Sequence, residues 1–338
     1  MKLLTTADID RLNIGLMLLS AVAAFIFPFE LFLFVYAFLG PLHYLTEINW
    51  LHKKHYFTTH KYDYAVIVFF VLLISLLYLT HSTYRSYVSL LTFIIFGVCF
   101  AMAFFKEGKQ KIIFAFCCGL VGIGLYYFFH KNFRIVFATL LPTIVHVFIF
   151  TGLFILLGAL KSKSWVGIAS VVVFTLCAIA TLFIPTGIFI EPVSQYIHDS
   201  HSSFKSLNRT LIGFLDILHT NEIRNDLQIP TYITEREIPI YLSSTGISIM
   251  RFVAFAYTYH YLNWFSKTSV IQWHNTKKVN LFLILTIWIG SIFLYVYDYR
   301  TGLRWLYVLS LGHVLLEFPL NHRSIIDIKN QFTKKVSV

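Results

Sequence analysis

The sequence predicts an all-α polytopic integral membrane protein, a bundle of about ten transmembrane helices with one long amphipathic extramembrane segment. Two observations predict it. Of 338 residues, 57% are hydrophobic and 13% charged, and the mean hydropathy is +0.71, far from the balance of a soluble domain. Apolar runs of roughly 17–25 residues also recur along the whole chain, separated by short polar connections.

Taken in order, spans are expected near 12–28, 30–51, 64–80, 88–105, 112–130, 135–160, 165–188, 247–265, 280–298 and 303–320. The start, "MKLLTTADIDRLN", carries Asp8 and Asp10 where a signal peptide is basic and then apolar, so the first run reads as a span. "FPFE" makes spans one and two a tight antiparallel hairpin. Residues 190–246 break the rhythm with Asp199, Asp216, Glu222, Arg224, Asp226 and Glu235. Within them, Phe204, Leu207, Leu211, Leu215 and Leu218 recur near helical spacing, the pattern of an amphipathic helix lying on a membrane. The chain is thus read as one transmembrane helical domain, 1–338, with 190–246 as a polar, amphipathic loop segment on the non-cytoplasmic face.

Of the 27 Lys and Arg residues, 10 fall on one side of the membrane and the remaining 17 on the side that ten spans give to both termini. That side is expected to be cytoplasmic, in a multi-pass protein of a bacterial inner membrane. The net charge of +11 then belongs to a basic rim facing anionic headgroups, and no nucleic-acid partner is needed to explain it. Cys99, Cys117, Cys118 and Cys177 all lie in apolar runs without metal or disulfide spacing.

Ionisable groups inside a span are costly and face the bundle interior. Here they carry a pattern. "HYLTEINWLH", His43 to His52, and "HVLLEFPLNH", His313 to His322, both read His, three residues, Glu, four residues, His. Positions i and i+4 share a helix face, so His43 with Glu47, and His313 with Glu317, each offer an imidazole and a carboxylate to one point. His146 and His260 lie on two further spans. His52 and His322 fall where their helices are expected to end; Pro319 disfavours helical continuation, which would let a terminal His fold back.

Imidazole with carboxylate suits iron first, with zinc or manganese as alternatives, as one or two ions. The expected metal ligands are His43, Glu47, His146, His260, His313, Glu317, His322 and His52. Glu47 and Glu317 are also expected to be catalytic, bridging metals or moving protons. Cytoplasmic histidine clusters resemble in general character those of membrane fatty-acid desaturases and hydroxylases. Those families carry HxxxH and HxxHH boxes, and this chain has neither, so no family is assigned. The expectation is a metal-dependent membrane oxidoreductase using O₂ and an electron donor on a lipid-like substrate. The alternative is a secondary transporter or proton-coupled carrier with the same groups as a relay, and a bis-His haem protein ranks third.

Blander readings accompany these. Tyr44 and Tyr261 read as interfacial aromatics, Asn263 as a helix-end cap, and His52, His55, His60 and His274 as rim residues at least as well as ligands. His198 and His201, in "HDSH", read as surface.

Overall fold

The computed structural model describes residues 5–80, 82–184, 193–215, 229–267 and 276–336. Among them there are helices and turns and no strand. The main helices are α1 (Thr6–Ile26), α2 (Pro28–Lys53), α3 (Tyr64–Leu79), α4 (Val88–Phe104), α5 (Gly108–Phe128), α6 (His130–Ser162), α7 (Trp165–Phe183), α8 (Lys205–Leu215), α9 (Ser244–Ser266), α10 (Lys278–Tyr297) and α11 (Tyr299–Val336). Each expected span falls on one of these helices. Eight of them are long and apolar enough to cross a membrane; α3 is shorter, at 16 residues, and α9 is not apolar enough. His274, Asp216, Leu218, Glu222, Arg224 and Asp226 lie outside the described residues.

The chain divides into two compact units, one formed by Met1–Leu39 with Ser164–Ser269, the other by Gly40–Lys163 with Val270–Val338. In the first unit α1, α7 and α9 pack on one another. The polarity of α9 has a packing reason. Nearly every one of its side chains is buried against protein, including Tyr259, Tyr261 and Asn263, so its hydroxyls and amides can bond to neighbouring helices. Tyr259 donates to Asn13 Oδ1 of α1 at 3.1 Å, and Ser266 donates to the same oxygen at 2.9 Å. Tyr261 is therefore a core residue rather than an interfacial aromatic. Asn263 also accepts the Tyr259 hydroxyl, at 3.4 Å, through its side chain.

The amphipathic helix α8 turns its apolar face to protein. Leu207, Leu211 and Ile212 are buried, and Asn208 donates to the Met250 sulfur of α9 at 3.4 Å. An apolar stripe thus finds a helix to cover it, where the sequence pattern suggested a membrane surface. His198 and His201 are likewise buried, correcting the expectation that they are surface residues. His198 bonds Asp199 at 2.9 Å through Nδ1, and its Nε2 lies 3.2 Å from both Glu237 and Lys205. Lys205 donates to Glu237 at 2.5 Å, and His201 Nδ1 shares a 3.0 Å bond with the Tyr241 hydroxyl. Burial first, then Lys205 and His198, push His201 down to about 3, so it is neutral at ordinary pH.

Glu237 yields a test. Burial raises its carboxyl, but bonds from Lys205, Thr234 and His198 outweigh that and bring it to about 2, below the usual 4.5. A carboxyl lowered by folding stabilises the native state above its unfolded value and loses that contribution as pH falls through the native one. Stability from this bond is expected to disappear between about pH 4.5 and pH 2. Glu237→Gln is expected to flatten that part of the unfolding-midpoint profile; an unchanged acid limb would contradict the assignment.

The second unit is built around α11, which packs against α3, α4, α6 and α10. Its core joins Leu51, Ile67, Val71, Ile74, Ile95, Val98, Met102, Leu141 and Phe150 to Leu311, Leu315 and Phe318 of α11. The link after α2 is tight: His55, Tyr56 and Phe57 all have left-handed φ, from 48° to 58°. Such backbone costs roughly 1–2 kcal/mol per residue. Burial of Tyr56, and the 2.8 Å bond from Thr59 N–H to the Met102 carbonyl, hold it in place. Lys111 closes a partly buried pair with Asp63 at 2.6 Å.

In α6, the 16 residues Ile135–Phe150 form a wide π-helix around Pro142. Proline has no N–H and cannot join an i→i−4 ladder; π geometry takes roughly one more residue per turn than an α-helix. His146 lies one turn beyond that proline.

Candidate metal centre

Both HxxxE motifs lie at the same place along their helices. His43 is 15 residues after the start of α2 and His313 is 14 after the start of α11, about 22 Å and 21 Å along at 1.5 Å per residue. Glu47 and Glu317 follow one turn further on. Within the second unit the five side chains converge. His43 Nε2 lies 3.1 Å from Glu47 Oε2, and His146 Nδ1 lies 3.1 Å from Glu317 Oε2. The His313 ring sits between the other two imidazoles, with centroids 5.4 Å from His43 and 5.0 Å from His146. A ring nitrogen of His43 and one of His313 come within 4.8 Å of each other. All five residues are no more than 5% exposed.

Glu47 has Glu317 as its carboxyl neighbour, and the His43 and His313 rings lie 5.4 Å apart, so the two motifs meet at one point rather than at two. Glu47 Oε2 is buried and has no hydrogen-bond partner although an imidazole nitrogen is 3.1 Å away. The lone pairs are thus near each other without being aligned for N–H···O bonding. A buried acceptor left in this state normally costs about 1–3 kcal/mol, and a cation would satisfy it.

His313 is oriented from outside the cluster. Its Nδ1 lies 3.4 Å from the Leu309 carbonyl oxygen, so Nδ1 carries the proton and Nε2 is left as the lone-pair atom. A backbone carbonyl in this position is a common support for a metal-binding imidazole. Tyr44, 1% exposed, stacks on the same ring at 4.1 Å and 22°. It is a core residue that fixes the plane of His313, not an interfacial aromatic. Asn321 donates to Glu317 Oε2 at 3.4 Å. Its i+4 spacing from Glu317 was a readable signal; nothing in the sequence marked Tyr44.

His52 and His322 are held elsewhere. α11 continues as helix through Pro319 to Val336, so His322 stays on the helix, nine residues and half a rotation from His313. It does not fold back. Its Nε2 bonds the Phe96 carbonyl oxygen of α4 at 2.8 Å, and its ring lies against Phe96 and Phe100. His52 is still within α2, is exposed, and shares a 3.3 Å bond with Tyr56. His55 and His60 are exposed, as rim residues are. His260 is buried on α9 in the first unit, beside Tyr261.

The donor set of three imidazoles and two carboxyls, with one carboxyl oxygen unsatisfied, fits a transition metal of the iron, manganese or zinc kind. No family model matches the chain, and no curated protein or solved structure does either. The chemistry of the site alone therefore carries the functional reading.

Proposed function

We propose that the chain is a multi-pass membrane protein with cytoplasmic termini that holds one or two transition-metal ions, iron first, at His43, Glu47, His146, His313 and Glu317. We propose further that it is an oxidoreductase acting on a lipid-like substrate. The observation that supports this most is the convergence of five buried ionisable groups from three helices, with Glu47 Oε2 lacking a partner. A bound redox metal would supply O₂ activation fed by an electron donor. Around it, His313 is set by Leu309 and Tyr44 so that Nε2 faces inward. Glu47 and Glu317 each lie 3.1 Å from an imidazole nitrogen and are placed to give or take a proton. Tyr44, stacked on the His313 ring and buried, helps exclude water from it. His260 remains a further ligand in the proposal on its residue type and burial.

The buried His43–Glu47 and His146–Glu317 pairs also support a second reading, a proton-coupled carrier with these groups as its relay. One pair of measurements separates the two. Protein from iron-supplemented cells, purified without chelator, is expected to retain metal on elemental analysis, and vesicles containing it are expected to show no pH-driven proton flux. Negligible metal together with such a flux would replace the first reading by the second.

A further inference from the structure

We propose that Arg251 of α9 is a recognition site for an oxyanion, the phosphate or carboxylate headgroup of a membrane amphiphile. α1 ends at Ile26, α7 ends at Phe183 and α9 begins at Ser244, so one end of the first unit gathers these three termini. Arg251 lies two turns into α9. Arginine side chains lean towards the N-terminus of their helix and extend to the polar boundary, which carries the guanidinium towards that end. The residue is 9% exposed.

What surrounds the guanidinium is short of partners. Its carbon lies 4.7 Å from the centre of the Phe25 ring, and Nη1 makes one long bond, 3.4 Å, to the Ile184 carbonyl oxygen. Nε is buried and has no partner. No ion pair among the described residues includes Arg251. A guanidinium offers five N–H donors in a fixed fork and cannot shed its charge. Burial of a charge is tolerated when it is paired, and here the protein supplies one ring face and one carbonyl. The Nε edge with its neighbouring nitrogen matches two oxygens of a phosphate or carboxylate. The depth argues for an amphiphile. A headgroup at the rim of an apolar bundle reaches this level while its chains stay along the exposed apolar surface of α1, where Leu18, Leu19, Val22 and Ile26 are open.

The test uses the full chain in phosphatidylcholine nanodiscs, titrated in separate arms with phosphatidylglycerol, oleate and inorganic phosphate. Retained ligand is counted by native mass spectrometry, and the unfolding midpoint is followed with each. The two lipid arms are expected to raise the midpoint and leave about one copy bound per chain, inorganic phosphate much less. Arg251→Gln is expected to weaken lipid binding about tenfold or more. Arg251→Lys, which keeps the charge and loses the fork, is expected to fall between them, and carries the test if the Gln variant does not fold. Equal binding by wild type, Arg251→Lys and Arg251→Gln overturns the proposal. A response to inorganic phosphate equal to that of the lipids overturns the headgroup as its source.

Discussion

Replacing either Glu47 or Glu317 by alanine is expected to strip metal from the purified protein, by well over the roughly 10–100-fold that loss of a supporting outer residue costs. Each carboxyl touches one imidazole at 3.1 Å and neighbours the other carboxyl, so each removal disturbs both halves of the cluster. The backbone is expected to survive, because both residues lie within long helices whose neighbours pack independently of the carboxyls. Exposed His52→Ala is the matched control and is expected to leave metal content unchanged. Tyr44→Phe is the informative milder variant. It keeps the ring on His313, so occupancy near wild type is the outcome that stacking requires. Full occupancy in both Glu→Ala variants would show that these carboxyls are not ligands. Elemental analysis on monodisperse protein decides it.

The second large effect lies in the first unit. Gly246→Ala is expected to destabilise the protein by on the order of 2–3 kcal/mol, and Gly246→Val by more. Gly246 occupies the first turn of α9, whose N-terminus is capped by the Ser243 hydroxyl accepting the Gly246 N–H at 2.9 Å. A Cβ there would run into the carbonyl oxygens of Pro239 and Ile240. Both are backbone atoms, fixed by the short turn Ile238–Tyr241, and cannot swing aside as a side chain would. By contrast, Gly124 has nothing within 4 Å of its would-be Cβ, so Gly124→Ala is expected to be tolerated. A thermal-unfolding midpoint equal for the two variants would refute the steric account.

Much of the architecture was legible because it is local. Runs of apolar residues mark helices wherever they occur, and His43/Glu47 and His313/Glu317 meet because i and i+4 always share a face. What escaped the sequence depends on partners far along the chain. Pro319 reads as a helix terminator, yet α11 runs through it; neighbouring helices and adjustments within the packed bundle can satisfy the freed carbonyl. That continuity carries His322 to Phe96 instead of to the site. His198 and His201 read as surface because their burial is made by Glu237 and Tyr241, 39 and 40 residues away. A polar stretch next to apolar spans gives no sign of such pairing. α9 hides for the reverse reason: its hydroxyls and amides lower its hydropathy, and only its central position in the first unit explains them.

The wide helix around Pro142 has a consequence for how this chain can change over generations. Each π turn carries a surplus residue relative to an α turn, so the direction in which His146 points is stored as a residue count. Deleting one residue upstream of it, with the remaining turns kept wide, would turn the imidazole by roughly a quarter of a rotation out of the cluster without breaking the helix, whereas closing one wide turn to an α turn would absorb the loss and keep its direction. Insertions and deletions, which most proteins confine to loops, would here act as a selector: the same span, kept whole, would present or withdraw its imidazole according to its length.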